Sequence, residues 1–163
     1  MIKLLVTGAS GTAGAEVLRQ AVLHPGISQV TALVRRELPG HIKISDPKLK
    51  TIIHKDFSTC PPSLVEQLRD HDAVIWAQGV SSVGYKEADY DIITRQYPME
   101  YAKRLAEARG PGAKKLTFCY VSGKSEESTS DRSLTCVRPA GEGADQEKPA
   151  RAMFGRVKGE ARR

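Results

Sequence analysis

The sequence contains few cysteines and no long apolar run, and these two absences exclude several classes of protein. Its 163 residues include three cysteines, Cys60, Cys119 and Cys136, an odd number at unrelated spacings that fits neither a disulfide framework nor a zinc pattern. We therefore expect reduced thiols and no metal site. No stretch approaches the ~18 to 20 consecutive apolar residues of a membrane span, and the apolar run at residues 2–6 is too short for a signal-peptide core. These absences predict a cytoplasmic protein with no membrane partner.

The net positive charge is not spread evenly along the chain. The formal charge is +6, of which residues 147–163 contribute +4 and the first 146 residues only +2. The total positive charge is the one feature of the sequence that would favour binding to a nucleic acid. Because the body of the protein is nearly neutral, we expect no nucleic-acid partner.

Short apolar runs alternate with helical patterns along the first 121 residues. This alternation is typical of βαβ units and a parallel sheet. The hydrophobic fraction of 40% is enough for one core, so residues 1–163 are expected to form a single domain. The predicted strands are residues 2–6, 29–34, 49–53, 73–77 and 116–121. We predict a Rossmann-like three-layer α/β/α fold with about five parallel strands in the order 3-2-1-4-5.

Three helical segments are predicted between these strands. The first ends at residues 24–26, where proline and glycine cannot continue it. The second begins with Ser63 and Glu66 as a capping box. The third spans residues 90–109, where Pro98 either kinks the helix or starts its main part. Residues 123–150 are polar and glycine-rich and are expected to form a long mobile loop.

A glycine-rich turn joins the first strand to the first helix. Gly8, Gly11 and Gly14 have the spacing G-x-x-G-x-x-G. In such a turn the first glycine permits the tight turn, the second lets backbone amides approach a pyrophosphate, and the third allows close packing of helix and strand. The residues expected to contact the cofactor here are Gly8, Ser10, Gly11, Thr12, Ala13 and Gly14. The alternative is a tight turn that binds nothing.

The end of the second strand indicates which dinucleotide binds. A site for NAD usually places an acidic residue there, on the ribose 2′-hydroxyl. This chain has Arg35 and Arg36 instead, and a guanidinium can clamp the 2′-phosphate of NADP. The sequence therefore predicts NADP rather than NAD. Alternatively, both arginines are ordinary solvated loop charges.

Two further segments at strand ends are expected to contact the cofactor. Asp56 offers a carboxylate to the adenine amino group, and Phe57 offers a ring beside it. Ala77, Gln78 and Gly79 end the fourth strand, so their backbone should run beside the cofactor if this strand neighbours the first.

Together these motifs resemble the atypical short-chain dehydrogenase/reductase superfamily, in particular its NmrA-like and nucleoside-diphosphate-sugar-epimerase-like NAD(P)-binding proteins. The matching segments, in order, are residues 7–14, Arg35 and Arg36, residues 77–79, residues 120–123 and residues 156–160. The resemblance spans nearly the whole chain. Members of that superfamily continue past the lysine helix into a C-terminal substrate lobe, so the resemblance implies that this lobe is absent and that a chain ending at Arg163 is a fragment, a truncated gene product or a self-associating domain. It also implies that the fifth strand has an uncovered edge through which the chain could form a homo-oligomer.

The resemblance also implies a catalytic set, which this sequence keeps only in part. In that superfamily a serine after the fifth strand and a Tyr-x-x-x-Lys on the next helix carry the chemistry. Ser122 takes the serine position and Lys158 the lysine position, where it would hold the nicotinamide ribose. Phe154 stands where the tyrosine is expected, and a phenyl ring has no proton to give.

Two functions follow from the resemblance and this departure from it. The first is an NADPH-dependent reductase of a small carbonyl substrate, with water as the proton source. The alternative is a non-catalytic NADP-binding sensor or interaction module.

Overall fold

The computed structural model describes residues 1–42, 44–81, 83–110 and 112–121, and the backbone of residues 135–137. The strands are β1 (Ile2–Thr7), β2 (Ile27–Val34), β3 (Leu49–Ile53), β4 (Ala73–Trp76), β5 (Thr117–Tyr120) and β6 (Thr135–Val137). They form one sheet in the order β3-β2-β1-β4-β5-β6.

The first five strands are parallel, as predicted, with the order 3-2-1-4-5. The central strand β1 pairs with β2 on one side and with β4 on the other, so that Thr7 lies opposite Trp76. Because the strands are parallel, the loops that follow them meet at the same edge of the sheet. The glycine turn, Arg35, Asp56 and residues 77–79 all follow the carboxyl ends of strands at this edge.

The outer edge of β5 differs from the expectation. The sequence analysis expected this edge to be uncovered, but β6 pairs with it antiparallel, with Phe118 opposite Val137. The expectation of an uncovered β5 edge was therefore wrong, while the formation of a homo-oligomer stays a prediction. β6 also places three residues of the segment 123–150 in a strand.

The described helices lie between the strands. They are α1 (Thr12–Leu23), α2 (Pro62–Leu68), α3 (Glu87–Asp91), a π-helical turn (Ile92–Gln96) and α4 (Tyr97–Glu107). Pro98 lies in the first turn of α4, so it starts the main part of this helix, one of the two predicted outcomes. None of the helices in the described part of the chain is long and apolar enough to cross a membrane.

The predicted capping box at the start of α2 is wrong. Pro61 occupies the N-cap and Pro62 begins the helix, so Ser63 lies inside the first turn and makes no capping hydrogen bond. Proline is favoured at this position because its φ angle is already helical and it has no amide hydrogen that would be left without a partner.

The sheet separates two hydrophobic cores, because successive side chains of a strand point to opposite faces. Leu5 lies in the first core, with residues of α2 and α4 and an aromatic cluster. Leu4 and Val6 lie in the second core, against α1. The aromatic cluster consists of Phe57, Trp76, Tyr101, Phe118 and Tyr120. Helices thus cover both faces of the sheet, which is the predicted three-layer α/β/α arrangement.

Candidate functional site

Two of the three glycines in the turn between β1 and α1 are required by packing. Gly8 has φ +69°, a conformation that side chains disfavour, and a Cβ there would lie 2.5 Å from the Ala77 carbonyl carbon. A Cβ on Gly14 would overlap the Gly8 carbonyl group, 2.6 Å from its carbon. The tight turn and the close helix–strand packing expected of Gly8 and Gly14 are therefore present.

Gly11 is different, because the fold itself does not need a glycine there. It is exposed, has φ −90°, and among the described residues a Cβ there would meet only the Gly8 carbonyl oxygen, at 3.4 Å, an ordinary contact. The lack of a side chain at Gly11 leaves the outer surface of the turn open, so that another molecule could approach the backbone closely.

The N-terminus of α1 opens onto this surface. The Gly11 amide donates to the Gly8 carbonyl at 2.9 Å, and the Ala15 amide donates to the Gly11 carbonyl at 2.8 Å. In the described part of the chain no side chain caps α1, and its first turn contains no acidic residue. First-turn amides of a helix have no acceptor within the helix, and together with the helix dipole they favour an anion. Ser10, Thr12 and Ala13 are exposed around them.

The end of β4 runs directly beside the glycine turn. The Ala77 amide donates to the Thr7 carbonyl at 3.3 Å, and a Cβ on Gly8 would lie 2.6 Å from the Gln78 nitrogen. Gly79 follows at the exposed surface, and no atom of the described residues would lie within 4 Å of a Cβ there. β4 therefore neighbours β1 as the sequence analysis required, and Ala77 and Gln78 lie beside the glycine turn, while the contact of residues 77–79 with a cofactor stays a prediction.

Arg35 and Arg36 follow β2 at the same edge of the sheet. Both are exposed, and neither guanidinium has a hydrogen bond or ion pair with another residue that the structure describes. The β2 end itself is held by the His54 amide, which donates to the Val34 carbonyl at 2.7 Å. The two arginines are therefore positioned by an ordered strand end, with their charged groups in solvent.

Asp56 and Phe57 behave differently from each other. Asp56 is exposed, and its Oδ1 accepts hydrogen bonds from the Ser58 amide at 2.9 Å and the Ser58 hydroxyl at 2.6 Å. These bonds lower the pKa of Asp56, so its carboxylate stays ionised.

Phe57 was expected to place a free ring beside the adenine, and the structure contradicts this. Its side chain is 4% exposed and belongs to the aromatic cluster. The ring stacks on Tyr101 at 5.6 Å between centroids and meets the edge of Trp76 at 6.0 Å. Burial of a large aromatic surface holds the ring in the core.

Two polar groups beneath the site were missed by the sequence analysis. Thr7 and Trp76 are fully buried and lie opposite each other at the ends of β1 and β4. The Thr7 hydroxyl and the Trp76 indole nitrogen have no hydrogen-bond partner among the described residues. The sequence signal for Thr7 was its position as a hydroxyl residue at the end of an apolar strand. Trp76 is the single tryptophan of the chain, and it directly precedes Ala77.

The predicted catalytic residues lie outside the described residues. This applies to Ser122, to Lys158, and to Phe154, which stands where the tyrosine is expected. Their roles remain predictions. Within the described residues no group of histidine, cysteine and carboxylate side chains is arranged to hold a metal ion.

Solved structures of similar fold were found for this chain, whereas no family model and no curated protein matches it. The enzyme WbmG of Bordetella bronchiseptica, solved with NAD and UDP, matches with a TM-score of 0.53 and 16% identity over 72% of this chain. The UDP-glucuronic acid 4-epimerase of Bacillus cereus, solved with NAD, matches with a TM-score of 0.60 and 14% identity over 98% of this chain. A short chain dehydrogenase family protein of Francisella tularensis matches with a TM-score of 0.50 and 18% identity over 72% of this chain.

The chain spans only part of these proteins, between 36% and 52% of their lengths. At identities this low, the similarity concerns the fold. The resemblance predicted from the sequence is confirmed at that level. The chain has the Rossmann-like fold of the short-chain dehydrogenases and nucleotide-sugar epimerases.

Proposed function

We propose that this chain binds a nicotinamide dinucleotide, with the pyrophosphate against the N-terminus of α1. The observation that carries the proposal is the difference between the glycines. Gly8 and Gly14 are required by packing, whereas the exposed Gly11 leaves a backbone surface open at the N-terminus of α1, which no side chain of the described residues caps. Such a surface favours a phosphate group. The Bordetella and Bacillus proteins, which share the fold, were solved with NAD.

The finer proposal is a preference for NADP over NAD. It rests on Arg35 and Arg36, which are exposed at the end of β2 where an NAD site usually has an acidic residue. Two guanidinium groups can form hydrogen bonds with a 2′-phosphate in which both partners are charged, whereas the corresponding ribose of NAD carries only a neutral hydroxyl. The two similar structures were solved with NAD, so the affinities of this chain for NADPH and NADH must be compared directly.

Cofactor binding can be measured through Trp76, the only tryptophan, which lies directly before the proposed contact at Ala77. The reduced nicotinamide absorbs light where tryptophan emits, so bound NADPH or NADH should quench the emission. We expect saturable quenching by both, with tighter binding of NADPH. The double variant Arg35→Ala/Arg36→Ala should weaken NADPH binding by about tenfold or more and change NADH binding little.

The matched control is Arg19→Ala, which removes an exposed arginine paired with Glu16 on α1. It should leave both affinities unchanged. Tighter binding of NADH than NADPH to the unaltered protein would contradict the NADP preference. An absence of saturable quenching and of any binding by calorimetry would contradict dinucleotide binding altogether.

We propose that the chain uses the bound cofactor as a non-catalytic NADP-binding module, and we favour this function over that of a reductase. The specific observation is Phe154, which stands four residues before Lys158 where a proton-donating tyrosine is expected. In the reductase alternative, hydride passes from NADPH to a carbonyl carbon and water supplies the proton to the oxygen. Ser122 would orient the substrate and Lys158 would hold the nicotinamide ribose.

Affinity and turnover measured on one preparation separate these two functions. Tight NADPH binding without oxidation across a panel of small aldehydes and ketones supports the module. Turnover that disappears in Ser122→Ala and in Lys158→Ala supports the reductase. Turnover that survives both substitutions would contradict the assigned roles of these two residues.

A further inference from the structure

The turn after β3 is held from its inner side by a tyrosine of α4. This turn carries Asp56, whose exposed carboxylate is expected to meet the adenine amino group. Tyr101 is fully buried, and its hydroxyl donates to the Thr59 carbonyl at 3.0 Å. We propose that Tyr101 is a positioning residue, which holds the turn so that Asp56 distinguishes adenine from a purine without the amino group. The inference rests on the proposed dinucleotide binding and concerns how the base is selected.

The order of the strands places Asp56 on the side of the site where the base would lie. In the sheet, β2 lies between β1 and β3. Arg35 and Arg36 therefore lie between the glycine turn and Asp56 along the carboxyl edge of the sheet. With the pyrophosphate at the glycine turn and the 2′-phosphate of the adenosine ribose at the arginines, the base continues towards the end of β3.

Hydrogen bonds within the turn leave one oxygen of the Asp56 carboxylate for a ligand. Oδ1 accepts from the Ser58 amide and from the Ser58 hydroxyl, whereas Oδ2 accepts no hydrogen bond from the part of the chain that the structure describes. The same bonds lower the pKa of the carboxyl group, so Oδ2 is an acceptor at neutral pH. Adenine offers this oxygen an amino group, whereas hypoxanthine has a carbonyl oxygen at that position. Asp56 therefore favours adenine.

Tyr101 contacts the turn at two points, one on each side of Ser58. Its ring stacks on the buried Phe57 at 5.6 Å between centroids. Its hydroxyl shares the Thr59 carbonyl with His54, whose Nε2 lies 3.0 Å from the same oxygen. A hydrogen bond is directional, so the hydroxyl fixes the backbone at Thr59 more narrowly than the ring stack fixes Phe57.

The bond from Tyr101 is connected to Asp56 through the backbone of the turn. The Thr59 hydroxyl donates to the Asp56 carbonyl at 3.5 Å, so the two ends of the turn move together. Burial raises the pKa of Tyr101 well above its usual range, and its hydroxyl therefore keeps its proton at neutral pH. Loss of this hydroxyl should let Thr59 shift and carry the Asp56 carboxylate away from its position.

The test compares NADPH with its analogue in which hypoxanthine replaces adenine, on the full chain. Affinities are measured by calorimetry, because the Tyr101 ring lies 5.2 Å from that of Trp76 and its replacement changes the tryptophan emission. The unaltered chain should bind NADPH about tenfold more tightly than the analogue. Asp56→Asn keeps an oxygen for Ser58 and puts an amide NH₂ in place of Oδ2, so it should abolish this preference.

The variant Tyr101→Phe isolates the positioning role, because it keeps the ring and removes only the hydroxyl. The ratio of the two affinities should fall about fivefold. The double variant with Asp56→Asn should show no preference, as Asp56→Asn alone does, because Tyr101 acts through Asp56. A purely structural role would weaken both dinucleotides by the same factor and leave the ratio unchanged.

The matched control is Tyr97→Phe, which removes the hydroxyl of another tyrosine of α4 that packs against the first core. It should leave the ratio unchanged. An unaltered ratio in Tyr101→Phe, or an equal fall in Tyr97→Phe, would overturn the role of Tyr101. Equal affinities of the unaltered chain for the two dinucleotides would overturn base selection by Asp56 and leave dinucleotide binding intact. If neither dinucleotide binds, the proposed function itself is contradicted.

Discussion

The three glycines of the turn after β1 differ in what the fold requires at each position. A Cβ at Gly14 would overlap the Gly8 carbonyl, which belongs to the backbone and cannot rotate away. A Cβ at Gly11 would make one ordinary contact among the described residues, with the Gly8 carbonyl oxygen at 3.4 Å. The same G-x-x-G-x-x-G spacing therefore combines positions with a packing role and one position that is open to a ligand.

This difference predicts that alanine at Gly14 mainly lowers stability, whereas alanine at Gly11 mainly weakens dinucleotide binding. Gly14→Ala should lower the free energy of unfolding by about 3 kcal/mol, because the helix and the turn must move apart. Gly11→Ala should lower it by less than about 1 kcal/mol but weaken dinucleotide binding, since the methyl group projects from the surface of the turn. Urea unfolding and NADPH titration of both variants measure this. Equal stability losses would contradict the assigned packing roles.

A buried histidine predicts how stability depends on pH. His71 is 3% exposed. Its Nδ1 lies 2.9 Å from the Leu68 carbonyl, an acceptor, so Nδ1 carries the proton and Nε2 accepts from the Thr31 hydroxyl at 2.7 Å. Burial is the main cause that lowers the pKa of His71 from its ordinary 6.5, with smaller contributions from the charges of Lys3 and Lys50.

The sign of the pH effect follows from this lowered pKa. Below 6.5 the unfolded chain binds a proton that folded His71 resists, so stability is complete above this pH and falls as the pH decreases below it. Urea unfolding at about pH 7.5 and about pH 5.5 should show the loss. His71→Asn should reduce this dependence, because an amide does not titrate, while His41→Gln, which replaces an exposed ring, should not. An equal dependence in His71→Asn would contradict the assignment.

At the scale of secondary-structure elements, one arginine connects three of them. Arg109 follows α4, and its guanidinium donates to the Lys114 carbonyl at 2.9 Å and the Arg69 carbonyl at 3.2 Å, and also to the His71 carbonyl. These acceptors lie before β5, at the end of α2 and before β4. Arg109 thus ties α2 and the starts of β4 and β5 together, at the end of the sheet opposite the glycine turn.

Removal of the Arg109 hydrogen bonds should lower the free energy of unfolding more than removal of a surface ion pair does. Arg109→Ala should lower the free energy of unfolding by about 1.5 kcal/mol, because several hydrogen bonds to a charged group disappear together. Arg69→Ala is the matched control, since it removes an arginine whose ion pair with Glu66 at 3.2 Å is exposed. Arg69→Ala should lower the free energy of unfolding by no more than about 0.5 kcal/mol. Similar losses from both substitutions in denaturant unfolding would contradict the bridging role of Arg109.

At the scale of the whole molecule, the central strand β1 contributes side chains to both hydrophobic cores, and its neighbour β2 does the same. Leu5 and Val6 are neighbours on β1 and both are fully buried, Leu5 in the first core and Val6 in the second. A strand shared in this way should couple the two cores, so we expect the described part of the chain to unfold in a single transition.

Two core substitutions test this coupling. Leu5→Ala should lower the free energy of unfolding by about 2 to 5 kcal/mol, and Val6→Ala should lower it by about 2 kcal/mol. Trp76 lies in the first core, yet its fluorescence transition should move together with the circular dichroism transition in both variants. A Val6→Ala protein in which Trp76 unfolds at the unaltered denaturant concentration would show that the cores unfold independently.

The sequence by itself determined the features that are local or periodic. Apolar runs separated by helical spacing predicted the five parallel strands, and the glycine spacing predicted the turn between β1 and α1. Both signals come from residues that are close together in the sequence. The same local reasoning was wrong at α2, where Ser63 and Glu66 have capping-box spacing but Pro62 already begins the helix.

Only the tertiary structure decided the features that depend on contacts between distant segments. Phe57 follows a strand like a surface residue but is buried because Trp76 and Tyr101 surround it. The β5 edge is covered because residues 135–137 return to it, which also brings Cys119 opposite Cys136. His71 is held by Thr31, 40 residues earlier in the chain. Periodicity describes which face a residue occupies, whereas its partners are set by the three-dimensional packing of the whole chain.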